Sequence, residues 1–163
     1  GQTFTVNGNN SVGIGLSDDS FTIANDKTMS IMGGKVGIGT VKPILDLHVW
    51  GSVGYVATNI NLVGATVSYE PKPTDRMILV SVDSDLDGTI TLPSVGLNDG
   101  RVITVIRKDL LSGATLKVKT NGTDQLNGST DTEHSLDAAW KSVTVYAFKN
   151  TSTTEWIIIG KGD

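Results

Sequence analysis

A short phrase occurs twice in this chain, and it limits what the chain can become. Ser11-Val12-Gly13-Ile14-Gly15-Leu16 returns 24 residues later as Lys35-Val36-Gly37-Ile38-Gly39-Thr40. Repeated units of that size are too small to enclose a core of their own, so they bury apolar surface against neighbours. A single chain offers only two copies. The neighbours are therefore expected to be other copies of the chain. Glycine at every second position leaves one face of the phrase bare, which lets backbones approach closely.

The rest of the chain divides into two regions. Residues 1–52 are dense in Gly, Asn and Asp, with short apolar pulses at 4–6, 21–23, 29–31, 36–38 and 45–49. Each pulse alternates apolar with polar residues or Gly, the pattern of a half-buried strand. Asn7-Gly8, Asn25-Asp26-Lys27 and Gly33-Gly34 supply turns. Residues 53–163 carry longer apolar runs at 76–82, 89–92, 102–107, 115–120, 142–149 and 156–159. Turn signals such as Asp87-Gly88, Asn98-Asp99-Gly100, Asn121-Gly122 and Asn127-Gly128 separate them. Short strands at near-regular spacing predict an all-β sandwich or barrel. The stretch 136–140 is too short for an amphipathic helix.

Composition excludes several functions. A net charge of −4 with no Lys/Arg run argues against a nucleic-acid partner, which needs clustered cations. The absence of Cys removes disulfides, thiol chemistry and Cys-ligated zinc. No apolar run approaches a membrane span, so no embedding in a membrane is expected. The start at Gly1, without Met, is expected of a fragment of a longer protein.

The residues also carry a resemblance. Val36-Gly37-Ile38-Gly39-Thr40, Pro43, then Leu45-Asp46-Leu47-His48-Val49-Trp50-Gly51 resembles the VGIGT-x-x-P…L-x-V-x-G signature of phage tail fibres and trimeric bacterial surface fibres. The first copy departs from it, with Leu16 at the Thr position and no Pro after it. Residues 75–160 are similar to a β-sandwich tip module of such fibres. The pieces are Met77-Ile78-Leu79-Val80, Ile90-Thr91-Leu92-Pro93, Gly100-Arg101-Val102-Ile103 and Trp156-Ile157-Ile158, in that order. The resemblance implies an intertwined trimeric β shaft over 1–52 followed by a β-sandwich, jelly-roll-like head over 53–163. It implies the receptor-binding distal tip of a homotrimeric fibre. The fibre would be extracellular, on a virion or a bacterial surface, holding a cell-envelope glycan or surface protein of host or prey. A purely structural fibre module and a glycan-cleaving tailspike are the alternatives.

Candidate chemistry is sparse. Asp83-Ser84-Asp85-Leu86-Asp87-Gly88 fits the start of a calcium loop, with oxygen ligands at Asp83, Asp85 and Asp87 and Gly in sixth place. The twelfth position is Ser94 instead of Glu, so an Asp-Gly hairpin turn is the favoured reading and a looser surface calcium site the alternative. His48 and His134 are read as solvated or packing residues. No Gly-x-Ser-x-Gly elbow occurs, no phosphate loop follows the Gly-Ile-Gly phrases, and no Glu is paired with an Asp, so catalysis is not expected. Exposed aromatic rings remain, because they offer large contact area at small entropic cost. Trp140 is the leading candidate for ligand contact, with Tyr69 and Tyr146 behind it. Trp156 opens an apolar strand and is assigned to the core.

Overall fold

The computed structural model describes residues 4–16, 20–32, 34–64, 67–82, 86–109, 113–128 and 132–162. Over these the fold is all-β, with one 3-10 turn at Val95–Leu97. None of the described helices is long and apolar enough to cross a membrane. The chain forms two compact units, Gly1–Gly54 and Tyr55–Asp163.

The first unit contains β1 (Phe4–Val6), β2 (Val12–Gly15), β3 (Phe21–Ile23), β4 (Met29–Met32), β5 (Val36–Ile38) and β6 (Leu47–Val49). β1 pairs in parallel with β3, Phe4 opposite Phe21, and β2 with β4, Val12 opposite Met29. Both offsets are 17 residues. The rungs Phe4-Thr5-Val6-Asn7-Gly8-Asn9-Asn10-Ser11-Val12 and Phe21-Thr22-Ile23-Ala24-Asn25-Asp26-Lys27-Thr28-Met29 stack residue on residue. Asn10 and Lys27 take matching left-handed φ values of 56° and 52°. The structural period is therefore 17, and the 24-residue phrase is not what stacks. Its second copy pairs instead with Leu47–Val49. Its glycine also serves the chain's own turn, since a Cβ on Gly37 would lie 2.4 Å from the Thr40 carbonyl oxygen.

Polar turns hold the two rungs together. The Asn9 N–H donates to Asp26 Oδ1 at 2.6 Å, and the Lys27 N–H donates to the Asn9 carbonyl at 2.8 Å. Ser11 Oγ donates to the Asn25 carbonyl at 2.8 Å and accepts from the Thr28 N–H at 3.0 Å. Gly8 is required where the rungs meet, because a Cβ there would lie 1.9 Å from the Asn25 carbonyl oxygen.

Apolar packing in this unit is slight. Among its described residues only Ile23 is buried. Burying one isoleucine contributes about 1.5–3 kcal/mol, no more than the ordering of two or three residues costs. The β2–β4 pair turns its apolar side chains outward. Val12 opposes Met29 and Ile14 opposes Ile31 on one face, all four exposed, while Gly13 and Ser30 share the other. Met29 is 66% exposed, and Leu16, just beyond β2, is exposed as well.

The second unit contains β7 (Ala57–Leu62), β8 (Ser68–Tyr69), β9 (Met77–Val82), β10 (Gly88–Thr91), β11 (Val102–Arg107), β12 (Leu116–Lys119), β13 (Gln125–Leu126), β14 (Glu133–Leu136), β15 (Ser142–Lys149) and β16 (Thr154–Gly162). A six-stranded sheet runs β13-β16-β15-β11-β9-β7 and a four-stranded sheet β14-β12-β10-β8. The chain alternates between them from β7 to β14. Consecutive visits to one sheet pair in parallel, β7 with β9 and β9 with β11 on one side, β8 with β10 and β10 with β12 on the other. The sandwich is thus three stacked rungs closed by antiparallel β14, β15 and β16. That route differs from the antiparallel ladders of a jelly roll, and it brings the strand starts of successive rungs to the same end.

Strict alternation builds the core. β9 buries Ile78, Val80 and Val82, β11 buries Ile103 and Val105, and β15 buries Val143, Val145 and Ala147. They pack in one cluster with Ile90, Leu116, Val118 and Leu136 of the smaller sheet. Trp156 is fully buried there, and its indole N–H donates to the Pro93 carbonyl at 3.1 Å.

Candidate functional site

Because β7, β9 and β11 run parallel side by side, the residues just before each strand converge on one edge. Those residues are Tyr55, Arg76 and Arg101. They line two neighbouring cavities that share Arg76 and Gly100. The larger, of 390 Å³, is lined by Tyr55, Arg76, Met77, Gly100, Val102 and Thr104. The smaller, of 290 Å³, is lined by Arg76, Arg101, Asn98, Asp99 and Leu97 among others. Leu97 is 93% exposed at its rim.

A buried polar node supports this edge. The Asp75 carboxylate accepts hydrogen bonds from Thr58 Oγ1 at 2.7 Å, the Tyr69 hydroxyl at 2.7 Å and the Lys72 N–H at 2.8 Å. Burial alone would raise the Asp75 pKa, but these donors and the nearby Arg101 charge outweigh it and hold the pKa below the usual carboxylate value. Burial and the bond to Asp75 push the Tyr69 hydroxyl up to about 12. Arg101 is 8% exposed. Its Nη1 donates to Asn98 Oδ1 at 2.7 Å, and its Nη2 donates to the Lys72 and Asp75 carbonyls. Its Nε has no hydrogen-bond partner among the described residues. Desolvation, then repulsion from Arg76, lowers its pKa.

The aromatic candidates fall in separate places. Tyr69 sits half-buried on β8, packed against the core, with its hydroxyl engaged by Asp75. Tyr146 sits half-buried on the outer face of the larger sheet, opposite Val102 and Ile157. Trp140 closes the turn between β14 and β15 at the far end of β11, where its N–H donates to the Arg107 carbonyl at 2.5 Å. It is 61% exposed, with a left-handed φ of 64°. That conformation is a genuine outlier for a bulky residue. Fully buried Arg107 anchors the turn from below. Its Nη1 donates to the Leu136 carbonyl at 3.1 Å and the Ala114 carbonyl at 2.7 Å, and its Nε pairs with Asp109 at 2.9 Å.

Of the calcium candidates, Asp83 and Asp85 lie outside the described residues. Asp87 Oδ1 accepts from the Thr115 N–H at 2.8 Å, which ties the start of β10 to β12. His48 lies in β6 with its ring 6.3 Å from that of Trp50, and His134 lies half-buried in β14 opposite Val118. Sequence reading missed Asp75, Arg76 and Arg101. They lie 26 positions apart at most and share no motif. Their one common signal is position, each at or just before the start of an apolar run. The chain matches no protein-family model and no curated protein.

Proposed function

We propose that this chain is the adhesive end of a homotrimeric extracellular fibre, acting by binding rather than catalysis. The observation that carries the reading is the outward apolar strip of Val12, Ile14, Met29 and Ile31 on a unit whose described residues bury only Ile23. Such a strip loses its exposure when sister chains pack along it, and none of the unit's described residues covers it. The second unit needs no such help, since its own core is dense. It presents Trp140 on an anchored turn, and strained backbone under an exposed ring fits a contact residue better than a packing one. Three copies on one stalk raise effective concentration, so weak single contacts sum to firm attachment.

Whole-envelope pull-down with the assembled protein tests the reading. Retention of envelope material, reduced in Trp140→Ala, is the expected result. Assembled protein that retains nothing would leave a passive structural module, and release of shortened polysaccharide would indicate a glycan-cleaving spike. Calcium has no part in this account. A rise in thermal midpoint with calcium, abolished in Asp85→Ala, would give it one.

A further inference from the structure

We propose that the cleft at the starts of β7, β9 and β11 binds the carboxylate of an acidic sugar, with Arg76 as its contact residue and Arg101 as the buried charge beneath. The proposal rests on the adhesive reading and names its ligand class. On a chain of net charge −4, two guanidinium groups in one cleft are a local exception. Neither forms an ion pair with a carboxylate among the described residues. Of the acidic groups nearby, Asp75 is turned inward and Asp99, which lines the smaller cavity, has one oxygen tied to the backbone. Asp75 accepts from three donors, and Asp99 Oδ1 accepts from the Lys149 N–H at 3.0 Å. Arg101 is pinned by Asn98 and two carbonyls, so its charge is fixed in place before any ligand arrives. A planar guanidinium fork matches a carboxylate with two parallel hydrogen bonds.

The adjoining cavity argues for a sugar over a bare oxyanion. Its 390 Å³ lies within the range of small-ligand sites. Tyr55 offers an exposed ring for stacking, and Met77 and Val102 give an apolar floor against which a pyranose face can lie. An inorganic anion would use none of these.

Calorimetric titration of the whole protein tests the assignment. The probes are trigalacturonic acid and sialyllactose, each beside its methyl ester, with inorganic phosphate as a further arm. Arg76 is exposed, so Arg76→Gln is expected to fold as the parent does, which its thermal transition verifies. An acid form should bind at least about tenfold more tightly than its ester, and Arg76→Gln should erase that preference. Equal binding of acid and ester, a preference unchanged in Arg76→Gln, or phosphate binding as tightly as the oligosaccharides would overturn the proposal. Envelope retention that survives any of those results leaves the adhesive reading standing while the cleft assignment falls. Loss of all envelope retention by the parent protein sinks the reading itself.

Discussion

Trp140 holds a left-handed backbone that glycine adopts at no steric cost. Trp140→Gly should therefore raise unfolding stability by about 1 kcal/mol while lowering envelope retention. Denaturant titration beside pull-down measures both, and a loss of stability would mean that the ring is a packing element. Asp75 is the opposite case, a residue whose side chain is wholly committed inward. Asp75→Asn removes the ionised acceptor that these donors and Arg101 stabilise, and should cost about 1–3 kcal/mol. The sign with pH follows from the lowered pKa. The contribution of Asp75 is complete above its unfolded pKa, about 3.9, and is lost as pH falls through the lower folded value. Tyr69 runs the other way. Its raised pKa gives a contribution that is complete below about 10 and lost as pH climbs toward the folded value of about 12. Ultraviolet titration should show one phenol ionising near 12, absent in Tyr69→Phe.

At the scale of elements, the first unit depends on stacked turns more than on apolar packing. Gly8→Ala drives a methyl group into the Asn25 carbonyl and should separate the two rungs. Gly54→Ala meets nothing within 4 Å and serves as the control. Circular dichroism of the two variants should show strand signal lost only in the first. These elements also show what the sequence discloses. Alternation in 76–82, 102–107 and 142–149 marks β9, β11 and β15 because one face of each is buried, and burial is what writes the pattern. β7 is harder to see, since its inward side carries only Ile60 and Leu62 and begins with the polar Thr58, which reaches Asp75. β8 and β13 have two residues each, too few for any period. The 17-residue rung hides behind the more conspicuous identity at 24 because stacking preserves residue type, Phe-Thr-Val over Phe-Thr-Ile, with few identical letters after it. The cleft is still less visible. Tyr55, Arg76 and Arg101 meet only because three rungs are parallel, and no local window contains that fact.

For the whole molecule, the two units solve opposite problems. The second encloses an apolar cluster between two sheets and presents its loops and turns at either end. The first turns its apolar strip outward and relies on hydrogen-bonded turns for its shape. A charge placed on that strip, as in Ile14→Asp, should disperse the assembly while the core of the second unit, which contains none of those residues, keeps its own unfolding transition. Differential scanning calorimetry would show that transition retained at its parent temperature. Sedimentation equilibrium of the parent protein at micromolar concentration tests the account most directly. A mass of three chains is the predicted result, and a fully folded single chain would contradict it.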